Sequence, residues 1–129
     1  MNIVFESWKE VFEADRRLDA AYALGSAVRG ELRASSDIDI ALLPASRATL
    51  TAHDLAELAG RFTDIAGRPV DLGVLSSRNL VYAHQAILTG KCVWRRAGAD
   101  TGLRIATLLG LYARFQFERR EVLDAYTAG

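Results

Sequence analysis

The chain has 129 residues, half of them apolar and a quarter charged, the mix of an ordinary globular domain rather than a disordered chain or a disulfide-stapled miniprotein. Sixteen basic residues balance sixteen acidic ones, which argues against stable nucleic-acid binding as the main occupation. No apolar run approaches the ~20 residues needed to span a bilayer.

The opening stretch, MNIVFESWKEVF, is too polar and acidic for a secretion signal. The single cysteine, Cys92, forms no internal disulfide and suits a reducing cytosol. A cytoplasmic protein of one domain, residues 1–129, without membrane contact, is expected.

Taken in chain order, Phe5, Trp8 and Phe12 fall at helical spacing and predict an amphipathic helix over residues 3–18. A short strand, Ala20–Leu24, stops at Gly25-Ser26, and a short helix follows from Ser26 to Arg33. Asp37–Leu43 alternates, with Ile38, Ile40 and Leu42 on one face, and Pro44 ends it. Thr51 opens a helix that Leu55, Leu58, Phe62 and Ile65 carry to a stop at Gly67. Pro69–Leu75 reads as another strand. Ser76 or Ser77 is expected to cap a helix that reaches Leu88 and ends at Gly90. A short strand, Lys91–Arg95, precedes a long helix from Thr101 to Ala125. The order is mixed α/β, without the repeated βαβ units of a doubly wound fold.

Three segments carry the chemistry. At Gly25-Ser26 a strand meets a helix start; glycine permits a tight turn and close ligand approach, and the free N–H groups of a helix start make a phosphate seat. Asp37 and Asp39 lie two apart on a strand and so point to the same side. Paired carboxylates repel unless a cation sits between them, and hard oxygen ligands suit Mg²⁺; the alternative is that both simply face water. Asp71 stands in an otherwise apolar strand, where it needs either a salt bridge or a metal shared with the other two acids. Gly73 leaves room beside it.

Together these read Gly-Ser-x10-Asp-x-Asp with a third strand-borne acid downstream. The pattern resembles the DNA polymerase β-like nucleotidyltransferase superfamily. The local wording, Gly-Ser-Ala-Val-Arg-Gly-Glu at residues 25–31 and Ser-Asp-Ile-Asp-Ile-Ala-Leu-Leu at 36–43, is most similar to its minimal nucleotidyltransferases, the MNT or MntA-like antitoxins.

The resemblance implies a polymerase β-like fold: a small mixed β-sheet flanked by helices, with a long C-terminal helix. It implies two Mg²⁺ ions held by Asp37 and Asp39, with Asp71 on the acceptor side, and ATP held by Gly25 and Ser26. Arg29, one helical turn beyond Ser26, could reach the triphosphate as well as face solvent. It also implies a HEPN-type ribonuclease toxin as partner, silenced by transfer of AMP onto a tyrosine, in an oligomer with itself or with that toxin. Two rivals are a small-molecule nucleotidyltransferase of the aminoglycoside type, and a non-catalytic protein that masks a toxin by contact alone.

Other residues read as structural. His53 and His84 are isolated, Trp8 and Trp94 read as packing, Cys92 reads as core, and Arg95-Arg96 and Arg119-Arg120 read as solvated. Glu31 has no clear catalytic task. On the last helix Leu108, Leu111, Tyr112, Phe115, Val122 and Tyr126 form one stripe, with Phe117 near the opposite side. That surplus either docks a partner or covers other parts of the domain.

Overall fold

The computed structural model describes residues 3–25 and 37–128. The short helix expected over 26–33 lies outside the described residues. The chain begins with two short helices, α1 (Ile3–Ser7) and α2 (Lys9–Ala14), in place of one helix running to residue 18. Trp8 sits at the break and is fully buried. Its indole N–H donates to the Phe62 carbonyl at 3.1 Å. The helix ends early because Asp15 turns the chain out of it, its carboxylate accepting from the backbone N–H and the guanidinium of Arg17.

Strand β1 therefore starts sooner than expected and spans Leu18–Leu24. Strand β2 (Ile38–Pro44) is buried throughout except at Asp39. Helix α3 (Ala52–Ala66) has the expected bounds for a physical reason at each end. Thr51 and Asp54 form a reciprocal capping box, and Gly67 closes the helix in the left-handed region at φ 73°. Strand β3 (Val70–Val74) follows.

Ser76 caps only a 3-10 turn, and Asn79 caps α4 (Leu80–Thr89) by accepting from the Tyr82 N–H. Strand β4 (Lys91–Arg95) and α5 (Thr101–Ala128), three residues longer than expected, complete the chain.

The sheet order is β3-β2-β1-β4. β1 pairs antiparallel with β2 and β4, whereas β2 and β3 are parallel. A parallel neighbour needs a crossover, and α3 provides it. One sheet face packs on α1, α2 and α3 through Ile38, Ile40, Leu42, Phe12, Leu58, Phe62 and Trp94. Phe12 stacks on Trp94 with centroids 5.0 Å apart, and Trp8 lies 4.9 Å from Phe62. The other face carries Ala20, Ala41 and Leu43 against Ala83, Ala86 and Leu108 of α4 and α5.

Two expectations about single residues are corrected. Cys92 is exposed, because β4 is an edge strand; its thiol donates to the Trp94 carbonyl at 3.4 Å. Arg96 is not solvated: its guanidinium donates to the carbonyls of Phe12, Glu13, Asp15 and Leu18 at 2.9–3.2 Å. It thereby adds a donor to each carbonyl at the end of α2 and the start of β1, where only those of Phe12 and Asp15 also accept a backbone N–H from the turn. Asp19, nearly buried, pairs with Arg104 at 2.9 Å and lies 3.6 Å from Arg96. Arg104 also donates to the Pro44 carbonyl, tying α5 to two strands.

Beyond that anchor, Tyr112 stacks on His84 at 3.7 Å, and further along α5 Phe117, Val122 and Tyr126 are exposed. His84 is thus a packing residue, and His53 is paired with Glu57 on the outside of α3.

Replacing Arg96 by Leu leaves several carbonyls and Asp19 short of donors, so Arg96→Leu is expected to cost about 3 kcal/mol in urea unfolding. A loss under about 0.5 kcal/mol, the range of neutral surface changes, would show that Arg96 is dispensable. The Asp15 carboxyl is held below its usual range chiefly by the hydrogen bond from Arg17. A depressed carboxyl stabilises the fold fully above its unfolded pKa, near 3.9, and that contribution is lost as pH falls below it and through the lower folded-state pKa. Asp15→Asn is therefore expected to lower stability by about 1 kcal/mol at pH 7, Arg17 being partly exposed. The gap between variant and parent should narrow as pH falls below about 4 and close below the folded-state pKa of Asp15.

Candidate active site

Pairing across the sheet decides which side chains meet. Leu24 of β1 stands opposite Asp39 of β2, and Asp39 stands opposite Asp71 of β3. In the next row inward Tyr22, Ala41 and Gly73 are aligned. Paired residues project to one face of a sheet, so Asp39 and Asp71 rise side by side beyond the end of the apolar layer formed by α4 and α5. Asp37, exposed, immediately precedes β2, where the Ile38 N–H donates to the Pro69 carbonyl at 2.9 Å.

The electrostatics follow this placement. The Asp39 carboxyl is pushed up, first by partial burial and then by the negative charges of Asp71 and Asp37. All three acids are therefore felt at one point. Gly25 ends β1 at φ 61°, and a Cβ there would lie 3.5 Å from the Asp39 carboxylate. The backbone turn thus passes beside Asp39 in a conformation that favours glycine. Ser26 and Arg29 lie outside the described residues. Among the described residues no three His, Cys, Asp or Glu side chains form a closed metal cage. The donors that do converge on Asp39 are carboxylates, which suits a hard divalent cation such as Mg²⁺.

A cavity of about 360 Å³ opens beside the acids, lined by Leu24, Asp39, Ile40, Asp71, Leu72, Gly73 and Tyr82. Tyr82 is the residue that the sequence reading missed. It comes from α4, and its hydroxyl packs so closely on Gly73 that a Cβ there would be 2.0 Å from the phenol oxygen. Burial raises the Tyr82 pKa, and Asp39 and Asp71 add to the shift. The signal available in advance was Gly73 itself, a residue without a side chain in a strand, which marks a close approach. A second cavity of about 350 Å³ lies at the far end of β2, beside Arg104. No carboxylate lines it, and Arg104 is committed to Asp19.

This geometry can be set beside known proteins. The sequence profile described as polymerase beta, nucleotidyltransferase matches residues 6–98, which run from α1 through β4. The chain belongs to the polymerase β nucleotidyltransferase family. Over 108 residues it is 32% identical to the protein adenylyltransferase MntA of Shewanella oneidensis, covering 84% of this chain and 76% of that protein.

Among solved structures, a chain of a toxin–antitoxin complex with AMP-PNP is 27% identical at a TM-score of 0.76, covering 95% of this chain and 98% of that one. A chain from the tri-AMPylated HEPN toxin of S. oneidensis in complex with its MNT antitoxin is 26% identical at a TM-score of 0.67, with 97% and 99% covered. These matches extend past the family profile and take in α5. The mixed four-stranded sheet with a long final helix is the expected fold.

Gly73→Ala is expected to drive the Tyr82 ring out of the cavity, since the phenol is the movable partner, and to cost about 2 kcal/mol. Thermal unfolding and a structure of the variant check this; an unmoved ring in an equally stable protein would contradict it.

Proposed function

We propose that the chain is a Mg²⁺-dependent protein adenylyltransferase and the antitoxin of a HEPN-type toxin, transferring AMP from ATP to a tyrosine hydroxyl of that toxin. The observation that carries the reading is the register that sets Asp39 against Asp71, next to the Gly25 turn. The kinship with an adenylyltransferase, and with chains from toxin–antitoxin structures holding AMP-PNP or an AMPylated toxin, supports the same chemistry.

In this reading Asp37 and Asp39 hold two Mg²⁺ ions and Asp71 helps to hold the one facing the acceptor. Magnesium, when bound, supplies charge neutralisation of the triphosphate and a lowered pKa for the acceptor hydroxyl. The residues of the chain orient the reaction around it. Gly25 and Ser26 seat the terminal phosphates on backbone N–H groups, and Arg29 adds a charged donor. Asp71 stands on the other side of Asp39 from Gly25 and so faces the incoming hydroxyl. The acceptor oxygen bonds to the α-phosphorus, the bond to pyrophosphate breaks, and the phenolic proton leaves towards the Asp71 side or solvent.

The domain acts in the cytoplasm, in a hetero-oligomer with the toxin, and without stable nucleic-acid binding. No helix among the described residues is long and apolar enough to cross a membrane.

Purified protein with ATP, Mg²⁺ and the HEPN partner is expected to add whole AMP units to the partner, read by intact-protein mass. Asp37→Ala with Asp39→Ala should reduce transfer by at least about a thousandfold, the scale of losing several kcal/mol of transition-state stabilisation. Neutralisation of the toxin should be lost with it. Full neutralisation by the double variant would favour masking by contact.

A further inference from the structure

The mechanism above leaves one polar group of the cavity unused. The Tyr82 side chain is half-buried, and its hydroxyl rests on Gly73 beside the two paired acids. Among the described residues that hydroxyl has no hydrogen-bond partner; only the backbone N–H of Tyr82 is engaged, by Asn79. No buried side-chain oxygen is left without a partner among the described residues, so the Tyr82 hydroxyl opens to the cavity and is available to donate to a group that enters it.

Its position says which part of the reaction it meets. The strand order puts β1, with Gly25, on one side of Asp39 and β3, with Asp71 and Gly73, on the other. If phosphates sit at the Gly25 turn, the Tyr82 side is where the acceptor enters. One row of the sheet is small on that side, Ala41 beside Gly73, and the Tyr82 ring packs directly on Gly73 at the edge of the apolar layer. The ring is carried by α4, whose Ala83 and Ala86 are buried against the sheet.

We propose that Tyr82 is an acceptor-contacting residue: its hydroxyl donates a hydrogen bond to the oxygen of the protein side chain that receives AMP, holding it next to Asp71. The inference rests on the adenylyltransferase reading and specifies the acceptor half of that site. A donor in this place favours a hydroxyl acceptor, whose lone pairs can accept one hydrogen bond while its proton departs.

Steady-state AMP transfer to the HEPN partner, comparing the parent with Tyr82→Phe, tests it. The variant keeps the ring and removes only the donor. The expected result is a five- to tenfold rise in KM for the partner, the effect of one neutral hydrogen bond, with KM for ATP within twofold and an unchanged melting temperature. Unaltered kinetics, or a rise confined to the KM for ATP, would overturn the assignment while leaving the adenylyltransferase reading standing. Absence of AMP transfer by the parent itself would remove both.

Discussion

Two carboxylates facing each other across neighbouring strands are an unfavourable arrangement, and the candidate site is built on one. Adjacent strands lie about 4.8 Å apart, and like charges at roughly that distance repel by on the order of 3 kcal/mol at an effective dielectric of about 20. The parallel ladder between β2 and β3 holds Asp39 against Asp71 all the same. Its register is set from below by Ile38, Ile40 and Val70, buried in the layer under α3. A slip of one residue would turn those side chains to the wrong face of the sheet. The apolar core thus supplies the rigidity that keeps two repelling charges in place, and the Asp39 carboxyl, pushed up first by burial, is pushed further by the Asp71 charge beside it.

The two faces of the sheet divide the work. Aromatic packing of Trp8, Phe12, Phe62 and Trp94 fixes one face, and the guanidinium of Arg96 binds α2, β1 and the segment after β4 into a unit with it. The opposite face is thinner. Small residues, Ala20, Ala41 and Gly73, let α4 and α5 come close, and the layer stops short of the Asp39 row. That step between covered and uncovered sheet is the cavity. Asp19 and Arg104 anchor the first turns of α5 to the strands, whereas the end of that helix carries exposed apolar side chains.

Much of this was legible beforehand where a local rule applied. Alternation placed Asp39 on a strand and put Ile38 and Ile40 in the core, as found, whereas Asp37, expected to open that strand, lies one residue ahead of it. Thr51 and Gly67 bounded α3 because capping depends on a few consecutive residues. Where the rule was local but the competing force was not, the reading slipped. The periodicity of Phe5, Trp8 and Phe12 promised one long helix, yet Trp8 is drawn to the Phe62 carbonyl and Asp15 closes on Arg17. Cys92 looked like core because its neighbours are apolar, and the strand order left β4 at the edge. Arg96 looked solvated because nothing adjacent in the chain shows that four carbonyls converge on it.

The sequence by itself determined the inventory: acids on strands, a glycine at the turn after β1, helices with defined stops, and a family pattern joining them. Those features depend on periods of about two or 3.6 residues and on caps, which a short window contains. Only the tertiary structure decided that Asp71 pairs with Asp39, that Gly25 turns beside the same carboxylate, and that Tyr82 closes over Gly73. Each of those is a meeting of surfaces that do not exist until the crossover through α3 and the packing of α4 have formed. No spacing along the chain encodes them.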